Sequence, residues 1–73
     1  MNIKNNQRFK DIEIRMQSVM LDLMKYTEFE KITVKKLCEK AEVNRSTFYA
    51  HFEDIYDMLD KMEKTLRKEL LYS

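Results

Sequence analysis

Residues 33–52, TVKKLCEKAEVNRSTFYAHF, decide the fold of this 73-residue chain. In the first half of this stretch the apolar residues recur at the spacing of one helix face: Val34, Leu37, Cys38 and Ala41. Thr33 can cap this helix, because a short polar side chain accepts the free N–H groups of a first helical turn. The pattern predicts a short helix over residues 33–41.

The second half of the stretch predicts another short helix. Residues 42–44 form a polar break, and Asn44 is a good cap for a helix over residues 44–51. Phe48 and Phe52 lie four residues apart and are expected to anchor this helix to the core. Two short helices joined by a three-residue turn form a helix-turn-helix unit.

A longer amphipathic pattern precedes this unit. Its apolar residues recur at helical spacing and predict a helix over residues 6–26: Phe9, Ile12, Met16, Val19, Met20, Leu23 and Met24. Asn5 or Asn6 is expected to cap its start, with Met1 to Lys4 as a loose arm. Phe29, in the following loop, is expected to pack on the core.

A last amphipathic pattern follows the unit. Asp54 and Asp57 suit the start of a helix over residues 54–72, and its apolar residues share one face: Ile55, Met58, Leu59, Met62, Leu66 and Leu70. The β-branched residues 31–34 are not expected to form a strand, because the chain offers no partner strand. The predicted fold is all-α, with a helix-turn-helix inside a small three-helix bundle and a fourth, C-terminal helix.

The composition narrows the classes of function. Without glycine or proline, the chain lacks the residues of phosphate-cradling loops, and 73 residues leave no room for an enzyme cleft beside a cofactor domain. One histidine and one cysteine give neither a metal site nor an internal disulfide, and Cys38 is expected in the core where the two short helices cross. We expect no enzyme activity, no cofactor and a cytoplasmic location. No apolar run approaches the ~20 residues of a membrane span.

The net charge of +1 is unevenly distributed. Residues 1–50 carry ten Lys or Arg against seven Asp or Glu, whereas residues 51–73 carry four against six. If the chain binds an anion, binding is therefore expected at its first two-thirds.

The second helix of a helix-turn-helix unit enters the DNA major groove and reads base edges with its first residues. Arg45 offers a planar fork that matches guanine O6 and N7, and Ser46 and Thr47 add short donors and acceptors. Tyr49 and His51 lie further along and suit phosphates, although Tyr49 can also be a half-buried core residue. The sequence predicts double-stranded DNA as the partner.

Further phosphate contacts are expected around this helix. Lys35 and Lys36 lie on the exposed face of the preceding helix, and the helix starts at Thr33 and Asn44 present backbone N–H groups. The alternative for residues 45–47 is an ordinary solvated surface.

Over residues 7–65 the chain resembles the N-terminal DNA-binding domain of TetR/AcrR-type transcriptional repressors, through the residues Phe29-x-x-Ile32-Thr33-Val34-x-x-Leu37-x-x-x-Ala41-x-Val43-Asn44-Arg45-Ser46-Thr47-Phe48-Tyr49-x-His51-Phe52-x-Asp54. The resemblance implies a homeodomain-like fold whose third helix reads DNA. Residues at DNA-contacting positions of the family are Lys35, Arg45, Ser46, Thr47, Tyr49 and His51, and Thr33 matches a phosphate-contacting cap. It also implies a repressor that binds a palindromic operator as a homodimer.

Three positions depart from the family pattern. Glu28 and Glu42 stand where relatives usually have glycine, and Ile55 stands where they often have a phosphate-binding lysine. A left-handed backbone at Glu42 would cost ~1 kcal/mol. Relatives continue into a C-terminal domain that dimerises and binds an inducer. Residues 1–73 are therefore expected to be a single DNA-binding domain without that domain, and such a domain can be monomeric in isolation.

A protein-interaction module is the alternative from another class. Leu66, Leu70 and Leu71 have little core left to cover them, so this edge of the last helix could dock a partner helix.

Overall fold

The computed structural model describes the backbone of residues 3–72 and the side chains of residues 7–71. Over this part of the chain it contains four α-helices and one short 3₁₀ helix, and it contains no strand. The elements are α1 (Ile3–Tyr26), the 3₁₀ helix (Phe29–Lys31), α2 (Val34–Ala41), α3 (Arg45–His51) and α4 (Ile55–Tyr72). The predicted all-α class and the absence of a strand at residues 31–34 are confirmed for the described residues.

The start of α1 differs from the prediction. The helix is already formed at Ile3, so Asn5 and Asn6 lie inside it and neither is its cap. The predicted loose arm is wrong for Ile3 and Lys4, while Met1 and Asn2 lie outside the described residues. No proline or glycine interrupts this segment, and asparagine costs a helix interior only a fraction of a kcal/mol, roughly 0.7 at most.

The predicted caps of the other three α-helices, α2, α3 and α4, are confirmed. The Thr33 hydroxyl oxygen accepts the Lys36 backbone N–H at 3.1 Å, and the Asn44 amide oxygen accepts that of Thr47 at 2.9 Å. At the start of α4 the Asp54 carboxylate accepts the backbone N–H of Asp57 at 2.7 Å. These side chains satisfy N–H groups that would otherwise lack a partner, which fixes where each helix begins.

The core lies where α1 crosses the helix-turn-helix and the first half of α4. Its largest fully buried side chains come from all four α-helices and from the residue that follows α3: Met16, Met20, Leu37, Phe48, Phe52 and Met58. Two members of the predicted α1 stripe, Phe9 and Met24, remain partly exposed. Phe9 stays 44% exposed although its ring stacks on that of His51, and Met24 lines an open groove between α1 and α4.

The loop between α1 and α2 packs on the core through Phe29, as predicted. The Phe29 ring also meets the Tyr56 ring edge-on, with 5.4 Å between centroids. Glu28 has an extended backbone (φ −60°, ψ 140°), so it carries no left-handed strain.

The turn between α2 and α3 has a left-handed residue at Glu42 (φ 59°, ψ 45°), the only non-glycine residue of positive φ among the described residues. Its backbone N–H reaches the Glu39 carbonyl oxygen at 3.3 Å, and the Val43 N–H reaches that of Cys38 at 3.0 Å. These two bonds form a Schellman motif, which ends a helix and turns the chain sharply. Glutamate therefore occupies a backbone conformation that favours glycine.

Candidate nucleic-acid interface

A buried contact joins α2 to Asn44, the residue that caps the start of α3. Cys38 is 4% exposed, and its thiol donates a long hydrogen bond to the Asn44 carbonyl oxygen at 3.8 Å. Burial raises the pKa of the Cys38 thiol, which favours the protonated form that can donate. The prediction of a small core residue where α2 meets α3 is confirmed.

The Asn44 side chain organises the start of α3. Its amide oxygen accepts the Thr47 backbone N–H, the Ser46 hydroxyl at 2.7 Å and the Thr47 hydroxyl at 2.9 Å. A backbone N–H can only donate, so the shared atom must be the amide oxygen and the hydroxyls must donate to it. Both hydroxyl oxygens keep lone pairs for an incoming donor, and the Asn44 NH₂ group keeps its own hydrogens.

The outer face of α3 is polar and open. Arg45, Ser46 and Ala50 are exposed, and the Tyr49 side chain is 55% exposed. Phe48 is fully buried beneath them, and its ring meets that of Tyr49 edge-on at 5.3 Å between centroids. Tyr49 is therefore not a core residue, although one edge of its ring is covered by Phe48, because the opposite face of α3 is the one that enters the core.

Arg45 is available for an external anion. Its side chain is exposed, and it forms no ion pair with any side chain of residues 7–71. Thr47 is half-buried, so it faces solvent less directly than its neighbour Ser46.

The lysines of α2 divide into two groups. Lys35 and Lys36 are exposed, and the Lys36 ammonium donates to the Lys31 carbonyl oxygen at 3.2 Å. Lys40 instead forms an ion pair with Asp22 of α1 at 2.6 Å, and this bonded ammonium holds the pKa of the Asp22 carboxyl below its usual value. Lys35 and Lys36 remain candidates for phosphate contacts, whereas Lys40 ties α2 to α1.

His51 does not lie on the open face. Its side chain is only 2% exposed, and its Nδ1 lies 3.1 Å from a Glu13 carboxylate oxygen. The imidazole ring stacks on Phe9 with 3.7 Å between centroids. The prediction that His51 contacts phosphate is wrong, because the ring is enclosed between α1 and α3, where it joins the two helices.

Lys61 of α4 also contacts the C-terminal end of α3. Its ammonium donates to the His51 carbonyl oxygen at 3.3 Å and lies 5.6 Å from the Phe52 ring centroid. Its ammonium also forms an ion pair with the Asp57 carboxylate, one helical turn earlier, at 3.3 Å. The four-residue spacing of Asp57 and Lys61 is typical of an ion pair on one helix face, but it gives no sign that Lys61 bonds the His51 carbonyl oxygen at the end of α3.

A shallow cleft between α1 and α3 was not predicted from the sequence. It is lined by three residues of α1 and four of α3: Arg8, Phe9, Ile12, Ser46, Thr47, Ala50 and His51. The presence of Ala50 follows from its spacing of four residues after Ser46. That of Arg8 depends on how α1 crosses α3, which no local pattern reports.

Residues of α4, outside the helix-turn-helix, also bear on the partners of the domain. Ile55 is buried in the core, so it offers no side chain at the place of the family's phosphate-binding lysine. The Leu66, Leu70 and Leu71 side chains are 59%, 73% and 72% exposed. This agrees with the prediction that the small core leaves little to cover them.

Metal-ligating clusters and membrane-spanning helices are absent from the part of the chain that the structure describes. Among the described residues, no three His, Cys, Asp or Glu side chains lie close enough together to hold a metal ion. None of the described helices is long and apolar enough to cross a membrane.

The fold and the open face of α3 define a helix-turn-helix domain, and one comparison agrees with this class. The chain is similar to a Bacillus subtilis (strain 168) protein named "Uncharacterized HTH-type transcriptional regulator YxbF", with 34% identity over 62 residues. The alignment covers 80% of this chain and 16% of that relative. No family model matches the chain, and no solved structure matches it significantly. The similarity supports a relationship to helix-turn-helix transcriptional regulators.

Proposed function

We propose that this domain binds double-stranded DNA in a sequence-specific manner and that α3 enters the major groove. The observation that carries the proposal is the arrangement of α3, whose exposed polar face is held by the buried Phe48 and by the Asn44 cap. A rigidly seated short helix with an open outer face is what groove recognition requires. The similarity to a regulator of the helix-turn-helix type points to the same partner.

Base recognition falls to the first turn of α3. The Arg45 guanidinium can form two parallel hydrogen bonds to guanine O6 and N7. The Ser46 and Thr47 hydroxyls already donate to Asn44, so they serve best as acceptors for the amino groups of adenine or cytosine. Recognition would then combine one donor fork with neighbouring acceptor oxygens.

Phosphate contacts would fix the register of α3 in the groove. Lys35 and Lys36 on α2, the Tyr49 hydroxyl, the Asn44 amide and the helix start at Thr33 are the groups proposed for this role. All five residues are exposed.

We also propose that the domain belongs to the TetR/AcrR-type repressors, because the residues from Phe29 to Asp54 resemble the sequence pattern of that family. In such a protein two domains act as a homodimer on a palindromic operator, with half-sites ~34–36 Å apart. When the homodimer occupies the operator, it blocks transcription. This chain spans 16% of the length of the relative it matches, so dimerisation and inducer binding are proposed for the whole protein.

The test is selection of bound sites from a random duplex library, followed by fluorescence titration of a selected and a random duplex at low and high salt. We expect one enriched motif and an affinity that falls steeply with salt, because phosphate contacts release counterions. An unenriched library together with no salt-dependent binding would contradict the proposal.

A second candidate is a protein-interaction module, favoured by the three exposed leucines of α4. One of them, Leu66, lines an apolar groove between α1 and α4 together with Ile14, Leu21, Met24, Leu59 and Met62. The variants Arg45→Ala and Leu70→Gln distinguish the candidates. If α3 is the binding element, Arg45→Ala weakens binding to the selected duplex and Leu70→Gln leaves it unchanged. If the domain is an interaction module, the unmodified chain shows no salt-dependent binding to either duplex.

A further inference from the structure

We propose that α1 also binds DNA, with Arg8 and Arg15 contacting phosphates beside the bases that α3 approaches. The inference rests on the proposed function and extends the interface to a helix outside the helix-turn-helix. Neither arginine belongs to the resemblance motif or to the predicted contacts.

Arg8 lies against the open face of α3. It lines the same cleft as Ser46 and Thr47, so it borders the residues proposed to face the bases. The next residue, Phe9, stacks on the enclosed His51 ring, which is in turn bonded to Glu13. These contacts fix this part of α1 against α3, so Arg8 keeps its place beside the recognition helix.

Arg15 extends the same surface along α1. Seven residues make almost two turns, so Arg15 is rotated from Arg8 by only ~20° and lies about 10.5 Å further along the helix axis. Both arginines line a second depression, together with Asp11 and Ile12. The two guanidinium groups therefore share one face of α1.

The charges on this face leave the arginines open to an anion. Neither Arg8 nor Arg15 forms an ion pair with a side chain of residues 7–71. The intervening Asp11 carboxylate accepts a hydrogen bond from the Gln7 amide at 2.9 Å. Guanidinium groups bind phosphate through two parallel hydrogen bonds, and such contacts carry no base preference.

Lys10 provides a matched control on the same helix. It is exposed and lines neither depression, and two residues rotate it by about 200° from Arg8. The variants Arg8→Gln, Arg15→Gln and Lys10→Gln each remove one positive charge, so a difference between them reports position and not net charge.

The experiment measures binding of each variant to a selected and a random duplex over a salt series, with the helical fold checked by circular dichroism. We expect Arg8→Gln and Arg15→Gln to weaken binding equally on both duplexes and each to reduce the slope of log K against log salt by about 0.9. Lys10→Gln should leave that slope unchanged, and Arg8→Lys should restore most of it.

Other outcomes would overturn the inference. If both arginine variants behave like Lys10→Gln while Arg45→Ala still loses base preference, α1 makes no phosphate contact and the proposed function stands. If the unmodified chain shows no salt-dependent binding to either duplex, both proposals fail.

Discussion

Replacing Glu42 by glycine should stabilise the domain. Glu42 occupies the left-handed region at φ 59° and ψ 45°, where a Cβ atom approaches the following carbonyl oxygen. Its structural role is carried by the backbone, through the bond to the Glu39 carbonyl oxygen. Its exposed side chain makes no hydrogen bond or ion pair with the described side chains. The substitution therefore removes strain and no contact.

The size of the effect follows from two opposing terms. A non-glycine residue in the left-handed region costs roughly 1–2 kcal/mol. Glycine gives back about 0.4–1 kcal/mol, because it has more freedom in the unfolded chain. The net gain for Glu42→Gly is about 0.5–1 kcal/mol, which raises Tm by roughly 2–8 °C in a domain of this size.

Thermal unfolding followed by circular dichroism measures this gain, with Glu42→Ala as the matched control. Both variants remove a carboxylate from the C-terminal end of α2, where a negative charge opposes the helix dipole. Only glycine also removes the Cβ atom. Glu42→Gly should therefore melt above Glu42→Ala, and equal melting temperatures would refute the argument from backbone strain.

Two further predictions concern titratable groups. The Glu53 backbone N–H and the Lys61 ammonium hold the pKa of the Asp57 carboxyl below its usual value. The ionised Asp57 carboxylate therefore stabilises the folded domain above the unfolded pKa of ~3.9, and this stabilisation is lost as pH falls through the folded pKa. Asp57→Asn should therefore lower Tm at pH 7 more than at pH 2, and an equal loss at both would contradict this. Burial raises the pKa of the Cys38 thiol, so iodoacetamide should modify it far more slowly in the native chain than in urea, and similar rates would show that the thiol is accessible.

The sequence predicts the local features of the fold well, because short-range chemistry decides them. Thr33, Asn44 and Asp54 are caps whose bonding partners lie three residues away, and apolar spacing placed Phe48 and Phe52 in the core. The same signals fixed the two short helices and their turn.

Features that depend on contacts distant in the chain were not predicted. His51 was expected at the surface, yet it is enclosed by Phe9 and Glu13, and the Glu13 contact spans 38 positions of sequence. Two other features depend on how the helices cross. Lys61 of α4 bonds the end of α3, and Arg8 of α1 lies beside α3. A polar side chain on a predicted surface gives no sign that another helix covers it.

The central claim is that the first turn of α3 reads bases, and the most direct measurement compares Arg45→Ala with the unmodified chain on a selected and a random duplex. Arg45 is exposed and forms no ion pair with the described side chains, so its removal should leave the fold intact. We predict a loss of about 1–3 kcal/mol in binding free energy on the selected duplex, a much smaller loss on the random duplex and a relaxed preference at one base position. An equal loss on both duplexes would contradict the claim, because Arg45 would then contact only phosphate.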